Sequence, residues 1–208
     1  MIVKIGGVNG SGKTSLMRGL MDIWPFVPVP VNPAKVGGKV ARYEALIKEP
    51  ELMAHLFSKV VVLGDYRNVC GGMDTISDKE IRYAMVESWV TDKKALVLFE
   101  GLITGKTYGA LGALSEKSAV PWLYAYMDTP FDVCVQRVLQ RRAAAGNTAP
   151  FDPERTMRPT YKSCHSTAAR AKSLGHPVHM VNHKLNPTRA AKELLKAVSA
   201  VMASGQAR

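Results

Sequence analysis

Eight residues near the start of the chain have the composition of a phosphate cradle. Gly7-Val8-Asn9-Gly10-Ser11-Gly12-Lys13-Thr14 fits the pattern G-x-x-x-x-G-K-[ST]. It lies between a short apolar run, Ile2 to Ile5, and a segment with helical spacing, Thr14 to Met21. Glycines let the backbone curl until successive N–H groups face one anion, and the helix start adds a partial positive charge. The expected contacts of a nucleoside triphosphate are Gly7, Asn9, Gly10, Ser11, Gly12, Lys13, Thr14 and Ser15. In this chemistry Lys13 reaches the β- and γ-phosphates, and the Thr14 hydroxyl ligates Mg²⁺. The motif specifies triphosphate binding and leaves open what is done with the triphosphate.

Two acids stand where apolar runs end: Asp65 after Val60–Leu63, and Glu100 after Ala95–Phe99. A Mg²⁺–nucleotide site needs an acid for the metal or its waters, and transfer to an alcohol gains from an acid that accepts the hydroxyl proton. Glu100 is the expected metal residue and Asp65 the expected base. Asp74, in Gly71-Gly72-Met73-Asp74, is the alternative base or a substrate contact. Downstream, Arg137 and Arg141 share a helix face, with Arg142 beside them, and no Glu occurs between 117 and 153. Like charges at that spacing cost about 0.2–0.5 kcal/mol. Stabilisation of a transferring phosphoryl group would repay that cost; a solvated helix face would have the same composition. Gly146, Asn147 and Pro150 suit a mobile lid over residues 137–160.

The elements that must hold these residues follow from periodicity. Buried strands are expected at Ile2–Ile5, Val60–Leu63, Ala95–Phe99, Trp122–Met127 and Val178–Val181, with an extended edge segment through Val27, Val29 and Val31. Helices are expected over Thr14–Met21, 39–49, 51–57, from a Ser77/Glu80 capping box to about Val90, from a Thr129 cap to about Ala144, over Tyr161–Leu174, and from Asn186 to about Met202. Residues 70–74, 101–115 and 146–158 read as loops. Continuous apolar strands alternating with helices predict an α/β fold. Its expected form is three layers around a parallel five-stranded sheet, with ligands bound beyond the carboxyl ends of the strands. By position, adenine contacts are expected from the lid neighbourhood and from the loop after the last strand, Asn182 to Lys184.

The 208 residues make one domain, and 47% hydrophobic with 22% charged residues excludes a disordered chain. No apolar run is long enough to span a membrane, and Met1–Gly6 has no signal-peptide anatomy. Cys70, Cys134 and Cys164 lack zinc-type pairing and are expected to be plain thiols in a reducing cytoplasm. The net charge is +11, and it is uneven: residues 131–208 carry 13 basic and 4 acidic side chains. Arg155, Arg158, Lys162, Arg170 and Lys172 belong to that excess, which suits a polyanion such as DNA; a solvated basic face is the plainer alternative.

The phosphate loop, Glu100-Gly101 after a buried strand and the Arg-bearing lid helix together resemble the P-loop kinase superfamily over most of the chain. That resemblance implies a nucleotide-kinase-type sheet, Mg-ATP as cofactor and γ-phosphate transfer to an acceptor. Asp65-Tyr66-Arg67, followed later by Tyr161-Lys162-Ser163, resembles polynucleotide 5′-hydroxyl kinases, where an Asp/Arg pair after the second strand handles the acceptor. Those enzymes usually place a further acid just before the pair; Gly64 stands there in this chain, a departure that bears on the base. The segment Gly64 to Asp74 is similar to bacteriophage kinases acting on 5-hydroxymethyluracil within DNA. Motif, charge and resemblance together give the expected roles: Lys13, Asp65, Arg67, Arg137 and Arg141 in catalysis, Thr14 and Glu100 at Mg²⁺, and Asp74, Arg158 and Lys162 toward substrate. The alternatives are a kinase of DNA 5′ ends, nucleotides or small alcohols, and an NTP-driven switch or motor.

Overall fold

The computed structural model describes residues 1–29, 41–48, 51, 53–68, 70–101 and 108–205. Seven strands form one sheet: β1 (Ile2–Gly6), β2 (Val27–Pro28), β3 (Arg42–Leu46), β4 (Lys59–Leu63), β5 (Ala95–Glu100), β6 (Trp122–Asp128) and β7 (Val178–Asn182), in the order β2-β3-β4-β5-β1-β6-β7. Among the described residues the α-helices are α1 (Lys13–Met21), α2 (Lys79–Glu87), α3 (Gly109–Lys117), α4 (Phe131–Ala144), α5 (Pro153–Thr156), α6 (Arg158–Ser173) and α7 (Pro187–Ala203).

The five expected strands are present and mutually parallel, β4-β5-β1-β6-β7, but the sheet does not end there. β3 pairs antiparallel with β4, and β2 antiparallel with β3. The expected helix over 39–49 is therefore a strand in its described part. Arg42-Tyr43-Glu44-Ala45-Leu46 contains good helix formers, yet Tyr43 and Ala45 alternate inward while Arg42 and Glu44 are half exposed and paired at 3.1 Å. Pairing along the open edge of β4 outweighs local propensity. Residues 53–57 form turns rather than a helix, because Met53 adopts φ +73°, outside the right-handed helical region. Of the expected edge segment, Val27 lies in β2; residues 30–33 lie outside the described residues.

Side-chain alternation builds the layers. Val3 and Ile5 of β1 face one side with Leu16 and Leu20 of α1 and Leu194 and Val198 of α7. Ile2 faces the other with Val97, Phe99, Val86 of α2, Leu111 of α3 and Ala168 of α6. Lys4 points to that second side, fully buried, with its ammonium 5.2 Å from the centre of the Tyr124 ring. Burial pulls its pKa down to about 8, against a smaller opposing effect of Cys164. A third, small cluster joins Val8 of the phosphate loop to Cys134 and Val138 of α4 and to Met157.

Several element ends differ from expectation. Asp78, not Ser77, caps α2: its Oδ1 accepts from the amides of Glu80 at 2.8 Å and Ile81 at 3.2 Å. Thr129 does not cap α4; its hydroxyl donates to the carbonyl of Ser11 at 2.8 Å, and Pro130 takes the cap position. The region expected as loop 101–115 contains most of α3, where Gly112 packs beneath the Tyr108 ring instead of breaking the helix; residues 102–107 lie outside the described residues. The expected loop 146–158 contains α5, capped by Asp152, and α6 starts three residues early at Arg158. Among the described residues, no helix is long and apolar enough to cross a membrane.

Candidate active site

The phosphate loop leaves β1 at Gly6 and enters α1 at Lys13. Two constraints shape it. Gly10 has φ +80°, and a Cβ there would sit 2.3 Å from the Cys134 carbonyl of α4, so the position demands glycine on both counts. The Thr129 hydroxyl then ties Ser11 to the end of β6. Lys13 is buried, and its ammonium donates to the carbonyls of Gly7 at 2.8 Å and Val8 at 3.2 Å.

A cavity of about 690 Å³ opens over this loop at the carboxyl ends of the strands. Asn9 to Ser15 line it from below, with Glu100 and Asp74. Thr14 Oγ1 donates to Glu100 Oε1 at 2.8 Å. Glu100 is buried, which raises its pKa; the nearby Lys13 charge and the Thr14 hydroxyl pull it back, and Asp74 pushes it up further. Gly72 makes the neighbouring turn possible: its φ is +98°, and a Cβ there would stand 2.7 Å from the Glu100 carboxylate. The short 3₁₀ turn Met73–Thr75 follows at once and brings Asp74, half buried, to the cavity wall.

The two acids weighed for the base occupy different surroundings. Asp65 is 2% exposed and held by Arg67 through Nε–Oδ1 at 3.0 Å and Nη2–Oδ2 at 2.6 Å. Its backbone pairs with Gly72, and neither Asp65 nor Arg67 is among the residues lining the cavity. Asp74 is.

Arg137 and Arg141 both line the cavity from α4. Arg137 Nη1 donates to the Gly10 carbonyl at 3.3 Å, over the phosphate loop; Arg141, one turn on, reaches Cys70 Sγ at 3.2 Å. Arg142 turns away to Asn147 and the Ala149 carbonyl and stacks on Phe151, bracing the segment expected to act as a lid. Arg158 pairs with Glu154 and lies 3.6 Å from the centre of the Phe131 ring; Lys162 is exposed on α6, and neither lines the cavity. Asn182 and His183 line the far end, with Leu185, Pro187 and Ala190. Sequence reading missed Arg18, which also lines the cavity and donates to the Asn68 carbonyl. Its spacing was a usable signal, since a residue four after Thr14 shares its helix face.

No family model matches the chain. A protein named 5-hmdU DNA kinase from Pseudomonas phage PaMx11 is 27% identical over 180 residues, covering 85% of this chain and 88% of that protein. Another of the same name, from Pseudomonas phage M6, is 26% identical over 156 residues, covering 67% and 71%. A gluconokinase from Sinorhizobium meliloti 1021 superposes with a TM-score of 0.49 at 13% identity over 97% of this chain and 93% of that one, too loosely to bear on chemistry. The chain resembles the P-loop kinases, and among them the phage proteins named 5-hmdU DNA kinase.

Proposed function

We propose that the chain is an ATP- and Mg²⁺-dependent kinase that transfers the γ-phosphoryl group to an alcohol on DNA, with the 5-hydroxymethyl group of 5-hydroxymethyluracil as acceptor. One observation carries the reading. A single cavity holds a phosphate loop, the Thr14–Glu100 pair and a second, separate acid, Asp74. The names of the two phage relatives supply the acceptor. The 13 basic against 4 acidic side chains of residues 131–208 suit a polymeric anion.

In this reading the backbone of Gly7 to Ser15 and the Lys13 ammonium hold the triphosphate, and Arg137 neutralises charge on the γ-phosphoryl group from the α4 side. Thr14 and Glu100 are hard oxygen donors 2.8 Å apart, and a buried carboxylate there is completed by a cation, which fits Mg²⁺. The ion, when bound, supplies charge neutralisation on the β- and γ-oxygens. Asp74 accepts the acceptor's proton. The hydroxyl oxygen bonds to the γ-phosphorus, the bond from that phosphorus to the β–γ bridging oxygen breaks, and ADP leaves. The Asp65–Arg67 pair braces the turn that carries Asp74, because Asp65 and Gly72 exchange backbone hydrogen bonds at 3.0 and 3.4 Å.

The test is incubation with labelled ATP and three DNAs: one containing 5-hydroxymethyluracil, the same sequence with thymine, and thymine DNA with a free 5′-hydroxyl. Label is expected on the modified polymer alone. Label at the 5′ end of every DNA moves the acceptor to the terminal hydroxyl, and label on none overturns a DNA acceptor.

A further inference from the structure

We propose that Arg18 and Arg141 form a phosphodiester subsite at the acceptor side of the cavity, gripping the DNA strand next to the nucleotide being phosphorylated. The proposal rests on the kinase reading above and extends it to the part of the substrate that does not react.

The two arginines come from different helices and converge on one segment. Arg18 of α1 donates through Nη2 to the Asn68 carbonyl, and Arg141 of α4 donates through Nη1 to Cys70 Sγ at 3.2 Å. Both side chains are exposed and line the same cavity as Asp74. Neither forms an ion pair among the described residues, where the arginine pairs are Arg42–Glu44, Arg67–Asp65 and Arg158–Glu154. A guanidinium presents five N–H donors in a flat fork that matches the oxygens of a phosphate, and each of these contacts uses one. The phosphate loop has cations of its own: Lys13 at Gly7 and Val8, and Arg137 at Gly10. The division of the four cations is therefore spatial. Two contact the phosphate loop, and two contact Asn68 and Cys70, in the segment that leads to the turn carrying Asp74. A phosphodiester gripped there fixes the backbone and carries no base information, so the grip serves any sequence around the modified base.

The experiment measures binding of 5-hydroxymethyluracil DNA to the full chain at several salt concentrations, for wild type, Arg18→Ala, Arg141→Ala and Arg18→Lys. Binding of a fluorescent ATP analogue and the melting temperature are measured in parallel. Each alanine variant is expected to weaken DNA binding about ten- to hundredfold and to reduce the salt slope by roughly 0.7–0.9, one phosphate contact, and the ATP-analogue titration reads whether Arg141, which lines the cavity one turn from Arg137, serves the nucleotide instead. Arg18→Lys keeps the charge and the slope but loses the fork, and binds between the two. Unchanged DNA affinity and slope in both alanine variants overturn the subsite, as does a loss confined to the ATP analogue. Wild-type protein that binds DNA with the expected slope but phosphorylates none of it overturns the DNA acceptor and leaves Arg18 and Arg141 as a DNA-backbone grip. Wild-type protein that binds no DNA overturns both.

Discussion

On the phosphate side of the cavity, cations answer to backbone. Lys13 meets the carbonyls of Gly7 and Val8, and Arg137 meets Gly10, all within or against one eight-residue loop. On the proposed acceptor side, the Asp65–Arg67 pair apart, the contacts reach between separate elements. Asp65 is satisfied by Arg67, Asp74 is delivered by a 3₁₀ turn packed on β5, and Arg18 and Arg141 arrive from helices on either flank. The loop and its Lys13 are local in sequence, and Arg137 and Thr129 then close on them from 127 and 118 residues away. The acceptor half exists only once the sheet, α1 and α4 are assembled. A triphosphate site can thus be written into a short motif, whereas a choice of acceptor has to be written into the fold.

Four substitutions sharpen or break this contrast. Lys13→Ala should lower the turnover number of phosphoryl transfer by about 10³-fold or more, because in the proposed mechanism the buried Lys13 ammonium is the loop's own cation on the triphosphate. Transfer within tenfold of wild type would remove the phosphate half from its role. Asp74→Asn should cost roughly 10²–10⁴-fold in turnover, the usual scale of a proton acceptor, with ATP binding intact in a direct titration. Thr14→Val deletes the hydroxyl that orients Glu100 and should weaken Mg²⁺ dependence about 10- to 100-fold, read as the metal concentration giving half-maximal rate. Asp65→Asn should change turnover less than about tenfold while lowering unfolding free energy by about 1–2 kcal/mol in urea, since it weakens a charge-assisted pair whose arginine can still reach water. Should Asp65→Asn abolish turnover and Asp74→Asn merely soften the fold, the two acids exchange roles.

The unequal locality also explains what the sequence made legible. The five parallel strands are continuous apolar runs, so they could be read directly, and the phosphate loop between the first of them and α1 came with them. β3 could not, because Arg42-Tyr43-Glu44-Ala45-Leu46 becomes a strand only beside β4. Thr129 looked like a helix cap because its type and position fit one, while its hydroxyl bond runs to Ser11, 118 residues away in sequence. Asp65 is legible as an acid at a strand end and Asp74 as an acid in a glycine-bearing loop. What separates them is that Arg67 holds Asp65 away from the cavity lining while the turn after Gly72 brings Asp74 into it, and spacing does not reveal which acid arrives there. Arg18 was overlooked because one basic residue on an amphipathic helix resembles any solvated position.

A lysine in the second position of buried alternation on β1 has a consequence for the chain as a titrating body. With its folded pKa near 8, Lys4 releases its proton from the native state well before an unfolded lysine, near 10.4, would. Between those values the unfolded chain holds the extra proton, so this residue makes native stability climb as the solution turns alkaline; below about pH 8 both states are charged and the gain is absent. The span corresponds to about 3 kcal/mol. Lys4→Met should therefore be the more stable protein at pH 7, by about 1–3 kcal/mol in urea, and the two should draw level as the pH approaches 10. Alkalinity, which loosens most proteins, would tighten the middle of this sheet.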